Sequence, residues 1–145
     1  MTAPARVEVT TTIHAPREQV FDAWLTADRM AHFLCAGDTH VASVDVDPRV
    51  GGAFRIVMAN DKGSYDHQGR YLEIQRPERL RFTWASAATQ GDDSEVTVTF
   101  EASTGGTRVT LVHVGLPDAT AADRHEGGWQ SILAKCGELL EEPTA

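Results

Sequence analysis

Residues Thr107–Leu140 read TRVTLVHVGLPDATAADRHEGGWQSILAKCGELL, and the change of period within that stretch decides the fold. Thr107 to Val114 alternates with period two, so Val109, Leu111 and His113 share one face, as in a half-buried strand. Leu116-Pro117 ends the alternation. Beyond it His125, Trp129, Ile132, Leu133, Cys136 and Leu140 recur at helical spacing, and Asp118 or Thr120 can cap the first turn. A strand that runs straight into a long amphipathic helix predicts a helix whose apolar stripe is buried on a sheet. Gly127-Gly128 costs such a helix about 1 kcal/mol each relative to Ala. A close approach of helix to sheet, or a bend in the helix, would account for the pair.

Upstream, the chain is strand after strand. His40 to Val46 reads as one. Ala53 to Ala59 follows with Phe54, Ile56 and Met58 on one face, then Tyr65 to Ile74. Leu80 to Ala85 puts Leu80, Phe82 and Trp84 together, and Glu95 to Glu101 does the same for Val96, Val98 and Phe100. The turn clusters between them are too short for parallel crossovers, so the pairing is antiparallel. Gly51-Gly52 is expected to allow positive φ in one turn and Pro77 to set another. Nearest the start, Arg6 to Ile13 alternates as a strand. Pro16 then opens a short helix with Val20, Phe21 and Trp24 on its stripe, and Thr26 or Asp28 caps a second that ends near Phe33-Leu34.

The order strand, two short helices, six strands, long helix predicts an α+β fold. A curved antiparallel sheet of about seven strands wraps the long C-terminal helix, and the short helices close one end. One helix does not fill a strongly curved sheet, so a cavity between the two is expected. All 145 residues read as a single domain, with 142–145 a frayed tail. Thirteen Lys+Arg against twenty-one Asp+Glu give a formal charge of −8, which argues against nucleic acid and anionic membrane surfaces as partners. No apolar run approaches the roughly 20 residues of a membrane span. The opening residues, Met1 to Arg6, lack a signal-peptide layout, and Cys35 and Cys136 fit no metal spacing. A cytoplasmic protein with reduced thiols is therefore expected.

Six segments occur together in order: His14–Trp24, Asp47–Phe54, Gly69–Ile74, Pro77–Trp84, Thr107–Leu116 and Gly127-Gly128-Trp129. Over roughly residues 6 to 141 the chain resembles the SRPBCC or START-like superfamily, in its branch homologous to the activator of the heat-shock-protein-90 ATPase. The resemblance implies a helix-grip fold with an internal apolar cavity. It also implies a hydrophobic small-molecule ligand of lipid, polyketide or aromatic type, no cofactor, and a link to stress response. Some relatives catalyse cyclisation or hydrolysis in that cavity. Chaperone activation itself belongs to a larger protein with an additional domain. Many members carry Trp where this chain has Phe33.

The residues expected to line the cavity are Phe33, Phe54, Met58, Tyr71, Phe82, Trp84, Val98, His113, Trp129 and Leu133, an aromatic-rich set suited to an apolar ligand. For any one of them, core filling is the competing account. His113 faces the helix that carries His125 and Trp129, so it reads either as an acid–base group or as a hydrogen-bonded core residue. Strand parity groups Glu73 with Tyr71 and His67. Either Tyr71 and Glu73 enter the cavity, as further acid–base candidates, or Leu72 and Ile74 do. His125-Glu126-Gly127-Gly128-Trp129 lacks the second His of a zinc helix, and His32, Asp38 and His40 could approach a metal but read as exposed loop residues, so no metal is expected. Three functions stay open: ligand binding, a cyclase, dehydratase or hydrolase in the same cavity, and an interaction module for a chaperone or stress-response partner. An edge strand next to the first strand leaves room for a homodimer.

Overall fold

A computed structural model describes residues 5–141, so the expected tail at 142–145 lies outside the described residues. Strand β1 (Ala5–Ile13) leads into helices α1 (Arg17–Ala23) and α2 (Ala27–Phe33). Strands β2 (His40–Val46), β3 (Ala53–Asn60), β4 (Gly63–Gln75), β5 (Arg79–Trp84), β6 (Ser94–Ser103) and β7 (Gly106–Leu116) follow, and helix α3 (Ala119–Leu140) comes last. The strands form one antiparallel seven-stranded sheet in the order β1-β7-β6-β5-β4-β3-β2. The α+β, helix-grip expectation holds. One detail is corrected: β1 is itself an edge of the sheet, beside β7, rather than lying next to an edge.

The alternating residues do what their period requires. Val7, Val9 and Ile13 of β1, Val96, Val98 and Phe100 of β6, and Val109, Leu111 and His113 of β7 are all buried on the concave face. The stripe of α3 is buried against them, and Asp118 caps the helix by accepting the Ala121 N–H at 2.8 Å. Thr26 stands at the N-cap of α2, yet its hydroxyl donates to the Asp22 carbonyl at 2.7 Å instead of capping. Phe21, Trp24, Phe33 and Phe100 meet edge to face and close the end of the grip under the short helices.

The sheet bends at β4, whose first part pairs with β3 up to Arg70 and whose second part pairs with β5 from Tyr71. Gly69 sits at the change of partner. A Cβ there would stand 1.9 Å from the Thr83 carbonyl oxygen and 2.4 Å from the Phe54 ring, so only glycine lets the strands cross so closely. Two residues later a bulge shifts the register between Tyr71 and Glu73. That extra residue breaks the parity read from sequence: Tyr71 and Ile74 turn inward opposite Phe82 and Leu80, while Leu72 and Glu73 turn out. In the turn before β3, Gly51 takes φ +85°. Gly52 answers a different need, since a Cβ on it would meet the Asp47 carbonyl at 2.2 Å. Among the described residues, no helix is long and apolar enough to cross a membrane.

Candidate functional site

The space between sheet and helix is very unevenly filled. Under the short helices, Trp24, Met30, Leu34, Phe54, Tyr71 and Phe82 pack to a residual void of about 10 Å³, close to the minimum for one water. At the other end a pocket of about 140 Å³ stays open between Met58 of β3, His67 of β4, Trp84 of β5 and the residues Arg124, His125, Gly128, Trp129 and Ile132 of α3. Through Ala36, Met58 and His67 it adjoins a cleft of about 300 Å³, which Thr39, Ser64, Tyr65 and Asp66 border.

Helix α3 holds this mouth in shape. Gly128 brings the helix against Ala36, whose Cβ would lie 3.3 Å from a Cβ at that position. One turn on, Ser131 Oγ accepts the Gly37 N–H at 3.0 Å, and Lys135 Nζ donates to the carbonyls of Cys35 at 2.7 Å and Gly37 at 2.9 Å. Of the glycine pair, Gly128 therefore serves an approach to the segment after α2, not to the sheet. The helix runs unbroken over Ala119–Leu140, and Gly127 faces open space.

His113 is fully buried behind the pocket. Trp129 Nε1–H donates to its Nδ1 at 3.0 Å, so Nδ1 is unprotonated and Nε2 carries the hydrogen. Nε2–H points at Ser94 Oγ, 2.6 Å away, and Ser94 in turn donates to the Trp84 carbonyl at 2.6 Å. Burial, with His125 edge-on at 4.8 Å, pushes the His113 pKa down to about 3. This imidazole is neutral, with both nitrogens engaged, and it ties β7 and β5 to α3.

The other two histidines belong to the pocket wall. His125 Nδ1 lies 2.7 Å from the Ala121 carbonyl and His67 Nδ1 lies 3.1 Å from that of Tyr65. A carbonyl only accepts, so each ring donates there, and burial lowers both pKa values. Trp84 joins the two cavities: its indole forms part of both walls and packs on His67 at 5.0 Å and Trp129 at 4.9 Å. Its Nε1–H is buried without a hydrogen-bond partner.

Of the residues expected to line a cavity, Met58, Trp84 and Trp129 meet at the open pocket. Phe54, Tyr71 and Phe82 meet at the small inner void. Phe33, Val98, Leu133 and His113 are core residues with no more than 1% of their surface exposed. Of the acid–base candidates, Tyr71 is inside, where burial raises its phenol pKa. Glu73 is outside, bound by Arg79 Nη2 at 2.9 Å and within 3.6 Å of Arg81. His32, Asp38 and His40 do not converge: among the described residues no three His, Cys, Asp or Glu side chains are placed to hold a metal. Ala36, Arg124 and Ile132 escaped the sequence reading. Ile132 lay on the apolar stripe of α3, but Ala36 and Arg124 carried no signal.

A curved antiparallel sheet closed on a long helix, with an indole-walled pocket at its open end, defines a helix-grip domain of the START-like class. The chain belongs to the family described as Activator of Hsp90 ATPase homolog 1-like protein, whose profile matches residues 14–141. It is similar to the crystal structure of protein CV1439 from Chromobacterium violaceum, with 27% identity over 95% of this chain and 98% of that one and a TM-score of 0.84. It is similar also to the AHSA1 protein SPO3351 from Silicibacter pomeroyi, with 27% identity, coverage of 94% and 97%, and a TM-score of 0.81. Protein Ms6760 from Mycobacterium smegmatis shares the fold, with a TM-score of 0.78, 20% identity and 99% of each chain covered. No curated protein matches the sequence.

Proposed function

We propose that this protein binds a compact, largely apolar small molecule in the pocket at the open end of the grip, against the faces of Trp84 and Trp129. The observation that carries the reading is the contrast between the two ends. The inner void is packed to about 10 Å³, whereas about 140 Å³ remains open where aromatic faces and a glycine line the wall. An apolar void of about 150 Å³ accommodates a benzene ring, so one aromatic ring fits, with further substituents extending into the adjoining cleft.

Binding is better supported than catalysis. His113 has both nitrogens engaged, Glu73 lies outside, and Tyr71 is packed away from the open pocket. Docking of a chaperone or stress-response partner has less support, because the exposed large apolar residues Val50, Tyr65, Leu72 and Val114 are scattered over a turn and two strands. Two buried free thiols, Cys35 and Cys136, suit the reducing cytoplasm as the place of action.

Native mass spectrometry of the protein as purified from cells tests this reading. A small-molecule adduct that denaturation releases is the expected result. A clean apo mass, unchanged after incubation with a panel of aromatic, lipid and polyketide compounds, would count against it.

A further inference from the structure

We infer that the ligand of this pocket is an anion, and that a planar aromatic carboxylate is the class that fits; this rests on the binding reading above. The chain carries a formal charge of −8, yet no carboxylate lines the pocket. Its titratable wall residues are Arg124, His125 and His67. In so acidic a protein, a pocket whose one charged lining side chain is a guanidinium selects for negative charge, the two histidines being held toward neutrality by burial.

Arg124 is the sharper observation. Six of the eleven arginines, Arg6, Arg49, Arg55, Arg76, Arg79 and Arg81, hold a carboxylate, and Arg124 is the arginine that lines the pocket. Arg124, at the pocket mouth, has neither an ion pair nor a hydrogen bond among the described residues. Its planar fork is suited to two parallel bonds with a carboxylate. Indoles of Trp84 and Trp129 in the wall and an unpaired guanidinium at the rim describe a flat ring bearing a carboxylate.

The test compares two probes of one shape, 2-naphthoate and the neutral 2-acetylnaphthalene, by calorimetric titration at low ionic strength. Naphthoate is expected to bind more tightly by up to about fivefold, the upper end for a partly exposed ion pair. Arg124→Gln brings the two affinities together, while Arg108→Gln, on exposed β7, leaves the preference intact. Added salt narrows the preference. Equal affinity of the two probes for the unaltered protein overturns the anion inference and leaves the binding reading standing. If neither probe binds, both fall.

Discussion

Trp129 Nε1–H donates to His113 Nδ1 at 3.0 Å, and this one bond settles what the most conspicuous titratable residue in the sequence does. A catalytic imidazole needs a lone pair facing substrate. The lone pair of His113 faces an indole instead, and its remaining N–H faces Ser94. The residue holds Trp129 in place, and Trp129 in turn presents its face to the pocket. His113 acts on the ligand site through position, not through proton transfer.

Removing His113 is therefore a stability experiment. His113→Ala strands the buried Trp129 N–H, removes the donor to Ser94 Oγ and leaves a cavity, which together cost about 3 kcal/mol or more. His113→Gln keeps an acceptor and a donor and recovers part of that loss. Urea unfolding of the three proteins checks the order wild type, then Gln, then Ala.

The same burial sets an acid limit. The His113 pKa falls from 6.5 to about 3 on folding, so between those values the unfolded chain binds the extra proton. Its contribution is complete above about pH 6.5 and is lost progressively as pH falls toward 3, at up to about 1.4 kcal/mol per unit for one group. His67 and His125, also lowered by burial, act in the same direction. Thermal melts from pH 7.5 to 4.5 should show stability level down to about pH 6.5 and falling below it, with a shallower slope for His113→Gln. A flat profile would contradict the neutral, buried assignment.

Gly69→Ala tests the bend of the sheet. The new methyl meets the Thr83 carbonyl and the Phe54 ring, and backbone of a neighbouring strand does not yield as a side-chain tip does. A loss of about 3 kcal/mol, at the upper end for overpacking, is expected in chemical denaturation.

The two helix glycines separate by the same measurement. Gly127 faces open space, so Gly127→Ala gains about 0.5–1 kcal/mol from helix propensity. Gly128→Leu drives a side chain into Ala36 and the pocket mouth, and it is expected to abolish probe binding while α3 stays helical by circular dichroism.

Much of this was readable from the chain. Strict alternation in β3, β5, β6 and β7, and the helical spacing from His125 to Leu140, follow from burial on one face, and that periodicity carried the sheet, the helix and Met58, Trp84 and Trp129. Three things were not readable. The bulge at Tyr71/Glu73 inverts the parity of a strand by a single residue, and nothing in the side chains there announces it. Whether an aromatic residue fills core or walls a pocket depends on how far its neighbours pack, so Phe33 and Val98 looked no different from Trp84. Ala36 belongs to the pocket because Gly128, Ser131 and Lys135 pin the segment after α2 onto the helix, and Arg124 lies beside the buried stripe of α3 rather than on it.

The central claim is that ligand occupies the open end of the grip and not its interior. Two methionines report on it: Met58 lines the open pocket and Met30 the inner void. With methyl-¹³C methionine and a saturating amount of 2-naphthoate, the ring current should move the Met58 methyl resonance and leave that of Met30 in place. Movement of Met30 instead, or of neither at saturation, would contradict the account.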